Sequence, residues 1–432
     1  MSVMAKQSEI QRVKEIFKEA QNRGQLNMQC RIYNKEMTEI VNNYKAQVEY
    51  WDNQVYMQEN AFPSATQSLW YSHYLNKKRL RGLGIETKCK KMSPTIYPPN
   101  ENQRFSIYYS HDGKNLICKV LDRLWYKKIF YRNGKQIWQD GSNGKECEHY
   151  IIISRAVNGK CICPSCGHED IVENLIDGCD YCHTKFHIED FYGKVSSVYM
   201  PNNNSKSRDS DMIKKLNPVI YMIVVMALFP IVINAPFLGI PLMTLGLIIF
   251  LYIFLSKAGK HSVAQGPGRN RASISKLREI DPLFSEEYFI GNLTNKLESI
   301  HYAERMDEIS AFTYCDLLYK IAEYTNVLSS RLMECVIMDY NNDDKIQVLD
   351  VNVVMNLAEI MGSMVQNREE KIRLRLAKSI ECKTNAVNDI IAYRCQSCGA
   401  SISLLNGGKC SYCGNSMEMI RYDWVVISYE AF

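Results

Sequence analysis

The sequence predicts an α+β protein made of two helix-plus-antiparallel-sheet units, and three observations point there. Apolar residues recur at helical spacing in two stretches, Ile10, Val13, Ile16 and Phe17, then Phe284, Phe289, Leu293, Leu297 and Ile300. Each stretch is followed by short runs of β-branched and aromatic residues broken by turn signals. Two clusters of paired cysteines each precede one last strand-like run. At 432 residues the chain is too long for one ordinary core, so several domains are expected.

Taken in order, 1–100 reads as a helical N-terminal region and 101–200 as a β-rich domain. RFSIYYSHDGKNLICKVL, from Arg104, has two apolar runs around Asp112-Gly113, a hairpin signature. Further strands are expected at 124–132 and 149–156, and another in FHIEDFYGKVSSVYM, after the first cysteine cluster at 161–183. A polar linker, 201–215, follows. After the apolar stretch described below, 256–279 reads as a basic linker and 280–432 as an α+β domain. There, Ser285 followed by two acids marks a helix start, and 308–322 is a second helical run. Strands are expected at 331–338, 345–356, 370–380 and 388–394. The second cluster, 395–414, interrupts before MIRYDWVVISYEAF closes the chain as a strand.

From Pro218 to Leu255 no charged residue occurs over 38 positions. One membrane span needs about 20 apolar residues and a tight hairpin about twice that. Asn234-Ala235-Pro236 is a turn signal, so spans at 216–233 and 237–255 are predicted. Lys214 and Lys215 precede them, and Lys257, Lys260, Arg269, Arg271, Lys276 and Arg278 follow. The positive-inside rule then puts both soluble halves in the cytoplasm, with the chain a multi-pass protein of the cell membrane.

Eight of the sixteen cysteines form the two clusters: Cys163, Cys166, Cys179 and Cys182, then Cys395, Cys398, Cys410 and Cys413. In each, two CxxC pairs are separated by twelve or eleven residues. A CxxC turn aims two sulfurs at one point, and two such turns supply the four soft ligands that Zn²⁺ takes tetrahedrally. Two structural zinc ions are therefore expected. Cys161 and His183 adjoin the first set and read as bystanders. The scattered cysteines, together with an amino terminus that lacks an apolar signal core, read as reduced thiols in a cytosol-like compartment.

The two halves share an ending. Phe191 and Tyr422 both stand nine positions after the last cysteine of their cluster, and Val195 and Val426 both thirteen. A duplicated unit, with the ribbon inserted before its final strand, is the economical reading.

Other patterns lead away from catalysis. Asp339-x-Asn341-x-Asp343 with Asp350 mimics a calcium loop, but Asp344 stands where glycine is needed, so a β-turn is expected. Glu298-x-x-His301 has the spacing of a metal half-motif but no helical companion, so His301 reads as a helix-surface or packing residue. No nucleophile elbow, phosphate loop or dinucleotide glycine pattern occurs. A net charge of +5 is modest and argues against nucleic acid as a partner.

With DPLFSEEYFIGNLTNKLESIHYAERMDEISAF, the later strands, the Cys395–Cys413 ribbon and the terminal YDWVVISYE in view, 280–432 resembles a known family. That family is the domain shared with the matrix-side anchor of the mitochondrial import motor (Tim-forty-four-like). Bacterial membrane proteins that join such a domain to zinc ribbons resemble the chain more closely. The resemblance implies a cone of helices on a curved antiparallel sheet, like nuclear-transport-factor-two folds. It also implies a module tethered beside a membrane. The expected function is a cytoplasmic-face scaffold or protein-interaction module, contacting membrane lipid and a protein partner. The alternative is a carrier or sensor of a lipid or small apolar ligand in the cone.

Overall fold

In the computed structural model the described residues are 29–30, 35–54, 64–91, 105–109, 116–123, 126–140, 147–154, 160–163, 166–175, 178–185, 194–199, 267–282, 284–362, 364–383, 393–402 and 408–432. The chain begins with β1 (Gln29–Cys30), α1 (Lys35–Asn53), α2 (Gln67–Gly82) and β2 (Ile85–Lys91). Then come β3 (Phe105–Tyr109), β4 (Leu116–Arg123), β5 (Tyr126–Arg132), β6 (Lys135–Asp140) and β7 (Cys147–Ser154). The first ribbon contains β8 (Lys160–Ile162), β9 (Glu169–Ile171) and α3 (Val172–Leu175), and β10 (Lys194–Tyr199) follows it. After α4 (Pro267–Ile280), α5 (Glu286–Tyr302) and α6 (Leu318–Glu323) stand three long strands, β11 (Val327–Asn342), β12 (Ile346–Met361) and β13 (Met364–Ser379). The second ribbon holds β14 (Tyr393–Arg394) and β15 (Ser401–Ile402), and β16 (Val425–Ala431) ends the chain.

This is an α+β fold with antiparallel sheets, and two of those sheets repeat one topology. One runs β1-β3-β4-β7-β10, the other β11-β12-β13-β16. In both, three neighbouring antiparallel strands, β3-β4-β7 and β11-β12-β13, precede a four-cysteine ribbon, and the strand after the ribbon pairs with the third; β1 stands outside this repeat. A small sheet, β2-β5-β6, is added to the first half.

The match extends to single residues. Val195 makes a parallel bridge to Ala65, and Val426 one to Thr313. Val195 N donates to Ser64 O (2.7 Å) and Val195 O accepts from Thr66 N (2.9 Å). Val426 does the same with Phe312 O and Tyr314 N, both at 2.9 Å. A one-residue bulge follows each valine, between Val195 and Ser197 and between Val426 and Ser428. Both valines are fully buried. The correspondence that the sequence displays in its endings is thus also a correspondence of backbone geometry.

Strand alternation builds the core. Along β12, Leu349, Val351, Val353, Met355 and Leu357 point inward while Asp350, Asn352, Val354 and Asn356 between them are part-exposed, the period-two pattern of a one-sided sheet. Against it lies α5, started by Ser285, whose Oγ accepts from Tyr288 N at 3.3 Å. Phe289, Leu293, Leu297 and Ile300 are buried, as their spacing predicts. The opposite face of α5 is buried too. Asn295 Nδ2 donates to Ser196 O (2.7 Å) and Ser68 Oγ (3.2 Å), so β10 and α2 cover a polar face that would otherwise meet water. The described residues within Met1–Pro201 and Ile274–Phe432 therefore cluster as one compact unit with a shared hydrophobic core.

Several expectations change. The stretch 256–279, read as a linker, carries α4: proline fits a first helical turn, and Ile274 and Leu277 bury into the core. The run 308–322 is largely not helix. Its residues 312–314 lie alongside β16 through the Val426 bridge, leaving only the short α6. Of the strand expected at 388–394, Tyr393 and Arg394 form β14, and 388–392 lie outside the described residues. Asp343 forms the expected turn, accepting from Lys345 N and Ile346 N at 2.7 Å each. The predicted membrane spans at 216–233 and 237–255 lie outside the described residues. Among the described residues no helix is long and apolar enough to cross a membrane.

Candidate metal centres and an internal cavity

The eight predicted ligands come together as two groups of four, each with its ligand atoms within 4.8 Å of one another. In the first, Cys163 and Cys182 sulfurs are 3.6 Å apart and Cys166 and Cys179 sulfurs 3.7 Å. In the second, Cys395–Cys413 and Cys398–Cys410 are both 3.5 Å. Four thiolates around an ion at about 2.3 Å would have edges of about 3.8 Å, so both cages have a size that fits a tetrahedral metal ion.

All four CxxC turns use one hydrogen-bond pattern. The first cysteine's carbonyl accepts from the N–H four residues on: Gly167, His183, Gly399 and Gly414 donate at 2.7–2.9 Å. The first cysteine's N–H reaches the carbonyl five residues on, at His168, Thr184, Ala400 and Asn415. The closing residue takes a left-handed conformation each time, with φ of 77°, 60°, 74° and 73°. Three of the four are glycine, the residue that suffers no Cβ clash there. His183 fills the fourth place, so its proximity to the sulfurs follows from its turn role, and it is not among the converging ligands. Cys161 lies in β8, also outside the group.

In each cage one thiol is eased toward the thiolate form. Burial raises the Cys182 pKa, but hydrogen bonds from Thr184 and neighbouring thiols outweigh it and bring it down to about 6. At Cys395 burial again opposes, and the Cys398 and Ser397 N–H groups prevail, also giving about 6. Their partners move the other way: Cys166 and Cys398 are raised, against backbone hydrogen bonds from His168 and Ala400, by burial and the neighbouring thiols, as sulfurs sharing one small site must. Half-buried Arg394, next to Cys395, has its pKa lowered by burial, against the pull of Cys163, Tyr422 and Cys182. The two ribbons therefore lie within electrostatic reach of one another. The free cysteines Cys89, Cys315, Cys335 and Cys382 stand apart from both groups.

A second site comes from tertiary packing alone. A cavity of about 150 Å³ lies among α1, α2, β5, β10, α5 and β11. Tyr44, Val48, Leu69, Ser72, His73, Lys128, Phe130, Asp140, Glu298, Tyr302, Ser330 and Arg331 line it. Tyr44 OH and His73 Nε2 are 2.7 Å apart, and Ser72 Oγ donates to Glu298 Oε2 at 3.2 Å. Two cationic groups of the wall are paired, Lys128 with Asp52 at 2.8 Å and Arg331 with Asp140 at 2.5 Å; Lys45 lines it as well. Burial pushes the Glu298 carboxyl up to about 8, against hydrogen bonding from Ser72 and the charges of Arg331 and Lys128. Burial pulls His73 down to about 4. At neutral pH the wall then presents an uncharged acid and an uncharged imidazole.

Next to the cavity runs a buried polar chain. Ser330 Oγ meets His301 Nδ1 (2.7 Å), and His301 Nε2 meets Tyr429 OH (3.2 Å). Tyr429 OH meets Tyr324 OH (2.8 Å), which donates to Glu370 Oε2 (2.8 Å). His301 is thus a packing residue, held neutral by burial and by the nearby Arg368 and Lys320 charges.

The metal ligands were legible from spacing. The cavity was not: His73 and Glu298 line it together only through the pairing of the two halves, and the one local pattern that includes Glu298, its i, i+3 spacing to His301, points to a metal half-motif instead. No protein-family model, no curated protein and no solved structure matches the chain.

Proposed function

We propose that the chain is a membrane-anchored zinc-ribbon protein acting as an interaction scaffold at the cytoplasmic face of a bilayer. The carrying observation is that the second turn of each ribbon exposes a tyrosine at the same place, Tyr181 (76% exposed) and Tyr412 (55%). Paired, rigidly mounted aromatic groups are what protein interfaces use as anchors. Zinc is the ion that four soft thiolates in a tetrahedral cage favour, and with every position filled by sulfur its part is to fold the ribbon. The apolar run Pro218–Leu255 and its basic flanks support the anchor. Helices laid on a long-stranded antiparallel sheet support a cone like that of the import-motor anchor family. The alternative, carriage of a lipid or small apolar ligand, has less support: the cavity is small, and charged pairs line much of its wall.

The test is photo-crosslinking in intact cells from a probe placed at 181, at 412 or, as a control, at the equally exposed Tyr50 on α1. The scaffold reading expects one discrete protein adduct shared by 181 and 412 and absent from 50. The same adducts at all three positions, or none at the ribbons, would end it.

A further inference from the structure

One helix seat is filled in the first half and its counterpart is open in the second. The filled seat is the bulge of β10 together with α2, and α5 lies across it. Asn295 Nδ2 donates to Ser196 O and Ser68 Oγ, and Asn295, Ser299, Ser196 and Ser197 are fully buried. Counted from the paired valines Val195 and Val426, the counterparts of Ser196 and Ser197 are Ile427 and Ser428. Here the bulge is uncovered: Ile427 is 37% exposed and Ser428 part-exposed. Tyr314, whose N–H donates to Val426 O, is more than half exposed, as are Leu318 and Tyr319 on α6.

The matching helix is open too. Tyr44, Val48 and Trp51 of α1 are buried at the spacing of Leu293, Leu297 and Ile300 of α5. Asn43, Ala46 and Tyr50 therefore stand where α5 has Asn292, Asn295 and Ser299. In α1 all three are exposed, Tyr50 by 56%.

We propose that chains associate head to tail, α1 of a second copy seating its exposed face on β16 and α6 as α5 seats on β10 and α2 within the chain.

The internal contact supplies the pattern. The step that leads from the first half to the second, taken once more, brings the first half of a second copy to the open seat. The contact is heterologous, so it can be repeated along a row of chains. The open faces also fit in size and polarity. Polar Asn295 meets a carbonyl and a serine, whereas the larger, apolar Ile427 is answered by the smaller, apolar Ala46. Asn43, Ala46, Tyr50, Tyr314, Ile427 and Ser428 are uncharged, so the middle of the contact desolvates no ion. Exposed tyrosine and leucine on both sides are the residues that interfaces bury. The inference is independent of the scaffold reading, since the partner is a second copy and neither ribbon takes part. A probe at 50 would give a self-adduct, distinct from the adduct shared by 181 and 412.

The experiment is sedimentation equilibrium of the full chain in density-matched detergent micelles, up to about 0.1 mM chain. Wild type should pass from monomer to dimer and longer assemblies as concentration rises. Ala46→Arg spoils the helix face and Ile427→Arg the seat. Each alone should weaken association about hundredfold or more, because an unpaired charge is buried. An equal mixture of the two variants should form dimers and stop there, since one chain keeps its seat and the other its α1. Leu318→Arg, on exposed α6, replaces Ile427→Arg should that variant not fold. A wild type that stays monomeric, a variant that associates like wild type, or a mixture that stays monomeric would overturn the proposal.

Discussion

Exchanging the turn-closing residues between ribbons tests the account of both metal sites. Gly414 holds φ of 73°, and a Cβ built there meets nothing within 4 Å. The cost of Gly414→Ala is therefore the left-handed conformation itself, about 1–2 kcal/mol, offset by about 0.5–1 kcal/mol because alanine has less unfolded-state freedom than glycine. Ribbon folding and metal capture are one equilibrium, so apparent zinc affinity at the second site should fall about two- to fivefold. His183→Gly is the reverse change. Relief of its φ of 60° should gain about 1 kcal/mol, while glycine's greater unfolded-state freedom removes about 0.5–1. The net change should be small, so the first site should keep its zinc within about fivefold. Competition of the full chain against a chromophoric chelator, with zinc counted per chain by atomic emission, measures both. Unaltered affinity in Gly414→Ala would refute the strain argument. Loss of one zinc per chain in His183→Gly would show that the imidazole is a ligand.

Other expectations follow from single contacts. Glu298 has a folded-state pKa raised from 4.5 to about 8, so its contribution is full below 4.5 and is lost as pH rises through 8. Glu298→Gln should gain stability relative to wild type steadily across that interval in urea unfolding, and a gap that ignores pH would contradict this. Ser285→Ala removes the cap of α5 and should cost about 1 kcal/mol, seen as a lower urea midpoint at unchanged slope. Tyr324→Phe strips a hydroxyl bonded to both Glu370 and Tyr429. It should cost about 1–3 kcal/mol, while Tyr319→Phe, at an exposed position, should be near neutral; equal effects would deny the buried chain its importance.

What could be read in the sequence was local. A CxxC turn is completed within a few residues, so spacing alone located all eight ligands. The buried stripe of α5 is likewise written in its own 3.6-residue period. Its other face was opaque, because Asn295 and Lys296 look like solvent-facing residues until β10 and Asp423 arrive from distant chain; Lys296 pairs with Asp423 at 2.9 Å. Helix α2 hides for the same reason. Its Arg79 is buried because the guanidinium donates to the carbonyls of Tyr302 (3.3 Å) and Ala303 (2.6 Å), more than two hundred residues later. In α4, two buried apolar residues among Arg, Lys and Ser carry too weak a period to be told from a linker. The halves on either side of 216–255, each plausible as a separate unit, share one core, and these polar contacts join them.

The like-built halves belong to one polypeptide, and that has a consequence for their shared hollow. In a homodimer every side chain at a two-fold seam appears twice, so an acid facing the seam is answered by the same acid. Joined head to tail, the halves are free to differ: the second offers Glu298 and the first offers His73, each once. Fusion turns a symmetric seam into a chamber with two distinguishable ends, and keeps it assembled however dilute the protein becomes.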